Sequence, residues 1–225
     1  MTDVTVLRVF VGPDGRGGNP LGVFLDGAAI PADRRQAVAR ELGFSETVFV
    51  DRVTGDTAAV RIFTPGRELP FAGHPTVGTS WLLRESGQPV ARLIVPAGTV
   101  SVWQDGGLAW IRARAAWVHD MEIAHYPSAA DVEALPGAPA GHDSHYAWAW
   151  IDEPAGILRS RYFAEAVGIR EDEATGAAAV VMGDRLGREL TIRQGVGSEL
   201  FVRPGPDGTV EVGGRVEQVE VRPFD

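Results

Sequence analysis

RIFTPGRELPFAGHPTVGTSWLLRE, residues 61–85, and RYFAEAVGIREDEATGAAAVVMGDRL, residues 161–186, run through one order of elements. Each opens on a strand-like stretch, crosses a long loop carrying acidic residues, reaches a glycine where a helix begins, and ends in an apolar helix. Self-similarity at about half the chain length points to two related units. If the units face each other, two helix N-termini converge on one cleft. Their unpaired amides and helix dipoles then make a seat for a small anionic molecule. In the first copy His74 stands between Gly73 and Pro75, where the chain turns from loop into helix. Proline costs nothing in a first helical turn, because the amide hydrogen it lacks has no partner there, so a helix is expected over about residues 75–86.

Outward from these two segments, 225 residues with 44% apolar content give room for one large or two small units with a real core. VTVLRVFV (4–11), LGVFL (21–25), SETVFV and AAVRIF read as strands, and PADRRQAVARELGF as a helix starting at Pro31. Three short strands are expected near 90–95, 99–103 and 108–113. Residues 126–145, rich in Ala, Pro and Gly, read as a linker or irregular segment. HYAWAWID, RSRYF, LTIRQ, ELFVR, TVEVGG and QVEVRPF complete the strands, around a buried helix in ATGAAAVVMGDRL.

Composition removes whole classes of chemistry. A net charge of −9 argues against nucleic acid, whose binding depends on neutralising phosphates. No stretch is long and apolar enough to span a membrane and no leader pattern opens the chain, so a cytoplasmic protein with no membrane partner is expected. There is no cysteine and no lysine. Disulfides, thiolate nucleophiles and a two-thiol racemase pair are therefore excluded, as are a lysine Schiff base and a phosphate-loop lysine. The remaining chemistry must come from Asp, Glu, His, hydroxyls or backbone.

Glu46 opens a strand among Phe44, Val48 and Phe49, and apolar neighbours of that kind raise a carboxyl pKa toward the range useful for proton transfer. Asp172 precedes the second helix, where an acidic residue favours the dipole. Each of these, and His74, has a plain structural reading as a surface, capping or packed residue; their joint placement in a repeat is what singles them out. His119, His125, His142 and His145 raise the question of a metal. HDSH, residues 142–145, could hold one ion, but a cysteine-free polar loop reads as solvated, so no metal is expected. GRGGNP lacks a lysine and precedes a strand, so it is a turn that could line the cleft rather than a phosphate loop.

GGNPLGVFL (17–25), ELGFSETVFV (41–50), RIFTPGRELPFAGHPTVG (61–78), AVGIREDEATGAAA (166–179), QG (194–195) and VGGRVEQVEV (212–221) together resemble, in order and over nearly the whole chain, the PhzF isomerase family of phenazine biosynthesis. The resemblance implies an α+β, diaminopimelate epimerase-like fold: two pseudo-repeated domains, each a curled, barrel-like sheet around a central helix. Residues 1–114 would form the N-terminal domain and 115–225 a shortened C-terminal one, with the active site between them. It further implies a cofactor-independent isomerase that moves a proton on a small conjugated carboxylate in secondary metabolism such as phenazine or antibiotic biosynthesis. Glu46 matches the family's general acid/base, His74 its motif histidine and Asp172 the aspartate of D-x-A-T-G. Gly73, Gly176 and Ala177 fall at the substrate-binding helix starts, and a homodimer is the assembly the family allows. Ala177 stands where the family commonly has serine, and VGSELFVR follows QG where the family has an M-G-R-P-like stretch. A catalytically decayed binding protein on the same scaffold is the alternative reading.

Overall fold

A computed structural model describes residues 2–165 and 168–224. Ala166 and Val167, which open the fourth of the quoted stretches, lie outside the described residues. In chain order the first half contains β1 (Thr2–Val11), β2 (Gly17–Phe24), α1 (Arg35–Leu42), β3 (Glu46–Thr54), β4 (Thr57–Phe63), β5 (Glu68–Leu69), α2 (Gly73–Glu85), β6 (Arg92–Val95), β7 (Gly98–Asp105) and β8 (Leu108–Ala113). The second half contains β9 (Glu122–His125), α3 (Ala129–Glu133), β10 (His145–Asp152), β11 (Ile157–Ala164), β12 (Ile169–Asp172), α4 (Gly176–Leu186), β13 (Leu190–Gln194), β14 (Ser198–Pro204) and β15 (Val210–Phe224).

The strands run β1-β2-β3-β4-β6-β7-β8-β15, and β15 pairs back onto β1, so eight strands close a ring. Closure removes the open edges a flat sheet would leave. From the other side of β15 the same sheet continues β14-β13-β11-β10-β9 and curls around α4, with β9 as its outer edge. The arrangement is the α+β, epimerase-like fold. The last strand serves both halves: Val212 pairs with Ile111 of β8 and with Val202 of β14.

α2 is buried nearly all round, as a helix enclosed by a barrel must be. Small residues let the sheet close in; a Cβ on Gly78 would lie 2.6 Å from Leu21 and 2.7 Å from Val9 side-chain atoms. Two of its hydroxyls turn back onto the helix: Thr76 Oγ1 donates to the Ala72 carbonyl at 2.9 Å and Ser80 Oγ to the Val77 carbonyl at 2.8 Å. The helix starts at Gly73, so Pro75 falls third in the first turn rather than first, where its missing amide is still free of cost. α1 begins at Arg35, four residues after Pro31, because residues 31–34 form a turn closed by the Arg34 amide on the Pro31 carbonyl. TVEVGG and QVEVRPF are one continuous strand, and the irregular 126–145 segment contains the short α3, capped by Ser128.

β1 carries a departure from regular backbone. Phe10 has φ of 70° at the slip in register between Val9 and Val11. Its buried ring occupies the space beside Gly214, where a Cβ would come within 2.4 Å of it. Across β1, Val9 pairs with Asn19, so this bulge sits beside the residues described next.

Candidate active site

The two helix starts meet. A Cβ on Gly73 would lie 2.5 Å from the carbonyl carbon of Gly176 and 2.8 Å from the amide of Ala177, while one on Gly176 would lie 2.8 Å from the amide of His74. Both positions are glycine because backbone runs against backbone there. The convergence read from the repeat is therefore present, and it brings His74 from α2, Glu46 from the start of β3 and Asp172 from the end of β12 into one buried cluster.

His74 Nε2 lies 3.3 Å from Glu46 Oε2, with side-chain exposures of 4% and 13%. The approach is close but the orientation makes no hydrogen bond, and both atoms are buried without a partner. On the other ring nitrogen, the Asn19 amide nitrogen contacts His74 Nδ1 at 3.4 Å. Both hydrogens of that amide are spent on the shorter bonds to Asp172 and Ala174, so the approach to Nδ1 is a packing contact.

Asn19 ties the halves together. Its Nδ2 donates to Asp172 Oδ1 at 2.7 Å and to the Ala174 carbonyl at 2.9 Å, while its Oδ1 accepts from Ser45 Oγ at 2.8 Å. Asp172 also accepts from Thr175 Oγ1 at 2.6 Å. Gln194 fixes that turn from behind, donating to the Asp172 carbonyl at 2.9 Å and to Thr175 Oγ1 at 2.8 Å, and accepting from the Thr175 amide at 3.1 Å. Ala177, in the first turn of α4, is buried and offers only a methyl group.

Burial sets the protonation states. It raises the Glu46 carboxyl to about 8, helped by the negative charge of Asp172 and opposed by the Ser45 hydrogen bond. Burial also raises Asp172 to about 6, against the Thr175 and Asn19 donors that stabilise its anion. His74 is pushed down to about 3 by desolvation, with the Pro20 carbonyl acting weakly the other way. At neutral pH the cluster thus holds a neutral imidazole and two carboxyls whose affinities for a proton differ, which is how one site keeps an acid and an anion side by side.

Asn19, Ser45 and Gln194 lay outside the sequence-derived candidates. Asn19 and Gln194 were inside quoted motifs, in a turn and a QG pair, but their partners are 153 and 22 residues away and no local pattern announces them. Asn19→Ala would leave Asp172 Oδ1 and the Ser45 hydroxyl short of a partner in a buried site. The expected cost is about 1–3 kcal/mol of folding stability, read as a lower urea midpoint with an unchanged slope.

Outside this cluster, His125 packs at a tilt on Trp148 with ring centroids 4.4 Å apart, and His119 Nε2 lies 3.4 Å from the Tyr162 hydroxyl. His142 and His145 come together on Glu122. Among the described residues no helix is long and apolar enough to cross a membrane.

Comparison with known proteins identifies the family. The family model PhzC-PhzF, described as phenazine biosynthesis-like protein, matches residues 11–125. The chain is 32% identical over 230 residues to the trans-2,3-dihydro-3-hydroxyanthranilate isomerase of Pseudomonas chlororaphis, covering 82% of this chain and 80% of that protein. That alignment is longer than the chain itself, so the relative carries residues with no counterpart here. The Bacillus anthracis phenazine biosynthesis protein of the PhzF family superposes with a TM-score of 0.72 at 21% identity over 98% of both chains. A hydroxyproline epimerase from Agrobacterium vitis gives 0.62 at 13% identity over 98% of this chain and 91% of its own, a likeness of fold alone.

Proposed function

Because the chain belongs to the PhzC-PhzF family and is a PhzF-like isomerase, we propose that it moves a proton between two carbons of a small conjugated, carboxylate-bearing metabolite, with Glu46 as the proton carrier and no cofactor. The observation that carries this reading is the Glu46 carboxyl, held near neutral proton affinity and facing His74 and Asp172 where the two helix starts meet. A carboxylate can take a proton from one carbon and, as the acid so formed, return it to another, ending as it began. The bond to hydrogen broken at the first carbon is replaced by one at the second, and the double bonds shift between them.

The other residues have matching roles. The Gly73 and Gly176 helix starts and the Ala177 amide receive the substrate's carboxylate. His74, a neutral imidazole, donates from its Nε2 to the substrate as charge builds on it. Asp172, an anion at neutral pH and anchored by Asn19 and Thr175, orients a polar hydrogen of the substrate and keeps the Glu46 proton affinity high. The name of the Pseudomonas chlororaphis relative makes trans-2,3-dihydro-3-hydroxyanthranilate the first substrate to supply, and phenazine-like or antibiotic biosynthesis the pathway class to place it in. A division into domains near residue 114, a cytoplasmic setting and a homodimer belong to the same proposal. Ala177 motivates the second reading, a binding protein that has lost turnover, since its methyl group cannot donate the side-chain hydrogen bond a serine would.

Incubation with that substrate in heavy water tests the reading. The product should carry deuterium at the newly protonated carbon, and kcat/KM should rise about tenfold per pH unit to a break near pH 8, because the first step needs ionised Glu46. The break belongs to the Glu46–Asp172 pair together. A profile falling above pH 8 instead would make Glu46 the acid of the first step, and absence of turnover across all pH values would favour the binding protein.

A further inference from the structure

On the face of the second sheet that carries α3, Glu122, His142 and His145 bring one ligand atom each within 4.8 Å of one another. Glu122 Oε2 lies 2.6 Å from His142 Nδ1 and 2.8 Å from His145 Nδ1. Glu122 opens β9, the outer strand of the curled sheet, and pairs directly with His145 at the start of β10. His142 comes from the loop between α3 and β10, which has no regular structure of its own beyond turns. Two side chains are thus fixed by strand pairing and the third is delivered by the loop.

We propose that these three residues are a site for a first-row divalent metal ion, zinc foremost. Two imidazoles and one carboxylate are the donor set that suits zinc, and three protein ligands leave its fourth position to water. The donors differ in exposure as such a site requires: His145 is 3% exposed while His142 and Glu122 are 46% and 42% exposed, so an ion can enter from solvent and rest on a buried ligand. The Tyr126 hydroxyl meets His145 Nε2 at 3.0 Å. Without an ion Nδ1 donates to the Glu122 carboxylate at 2.8 Å; an ion taking that lone pair would leave the ring hydrogen on Nε2, donated to the Tyr126 hydroxyl, the outer hydrogen bond that orients metal-bound histidines. A net charge of −9 adds a general attraction for cations. The consequence for the molecule is structural: the ion staples the 134–144 loop over the open edge at β9, an edge that otherwise exposes unpaired backbone.

Zinc titration of chelator-stripped protein, followed by calorimetry, is the test, with limited proteolysis of the 134–144 loop alongside it. One equivalent should bind per chain and slow cleavage of the loop. Tyr126→Phe should weaken binding by about 10–100-fold, the usual effect of removing an outer partner, and His142→Ala and Glu122→Gln by more. Both of the latter positions are exposed, so these variants fold, whereas His145 is set aside as buried. Absence of saturable binding by the wild type would overturn the site and leave a metal-free hydrogen-bonded cluster. Undiminished binding by His142→Ala would overturn it too, by placing the ion elsewhere, His74 and Glu46 included. Turnover by Glu46 is a separate readout: the site stands or falls on binding whether or not isomerisation is found.

Discussion

Glu46→Gln should reduce kcat by about 10²–10⁴-fold, the span that general acid–base catalysis contributes, with KM changed little. The amide is nearly the same shape as the protonated carboxyl and is equally neutral, so Asp172, Asn19 and His74 should keep their places. What it cannot do is accept a proton from carbon. Deuterium uptake from heavy water should vanish together with turnover. Equal turnover by variant and wild type would remove Glu46 from the role of carrier. Stability supplies a second, independent readout. The folded protein holds the Glu46 proton up to about pH 8, whereas the unfolded chain releases it near the ordinary value of 4.5. Its contribution to stability is therefore complete below pH 4.5 and is lost as pH rises through 8. Glutamine carries no such proton, so above pH 8 the variant should melt at a higher temperature than the wild type. His74 acts in the opposite sense: with its folded value near 3 against 6.5, it binds a proton only on unfolding, so its own contribution shrinks as pH drops from 6.5 toward 3 in both proteins, and in the wild type this offsets the gain from Glu46 between 6.5 and 4.5.

The parts of this site differ in how far they could be read from the chain. Alternation in VTVLRVFV and AAVRIF, and the apolar runs after Gly73 and Gly176, are local signals, and the corresponding strands and helices are present. β9 has no such signal: Glu-Ile-Ala-His shows no clean alternation, because an outer strand with both faces half exposed is not pressed to alternate. β5 and β12 are too short for a period to show and exist through their pairing with β4 and β11. The same distinction holds in the site. Glu46, His74 and Asp172 stood out by residue type and motif; Asn19 stood inside a turn signature, and only the meeting of the halves gives its amide an aspartate from the far one. Glu122 was invisible as a donor, since 20 residues separate it from His142 and strand pairing, which sequence does not display, sets it against His145. Long-range pairing is the information a linear reading lacks.

Gly73→Ala tests whether that meeting of the halves is what builds the site. The added Cβ would press on the Gly176 backbone at 2.5 and 2.6 Å and on the Ala177 amide at 2.8 Å, all of it main chain with no flexible side-chain end to yield. The helices must then separate by several tenths of an ångström or more. Overpacking of this kind costs about 1–3 kcal/mol, which should appear as a lowered melting temperature. The larger consequence is geometric. His74 moves with α2, while Asp172 and Thr175 stay with α4 and Gln194, so separation draws the reacting groups apart; a misplacement near 1 Å can cost about 10²-fold in rate. Both losses should occur together in Gly73→Ala and, through the reciprocal contact at 2.8 Å with the His74 amide, in Gly176→Ala. Gly66→Ala is the control, since a Cβ there meets nothing nearer than Thr64 Oγ1 at 3.8 Å and the position has no left-handed φ. If Gly73→Ala turned over substrate as fast as Gly66→Ala, the contact between helix starts would be a packing detail, and the placement of His74 would rest on β3 and Asn19 alone.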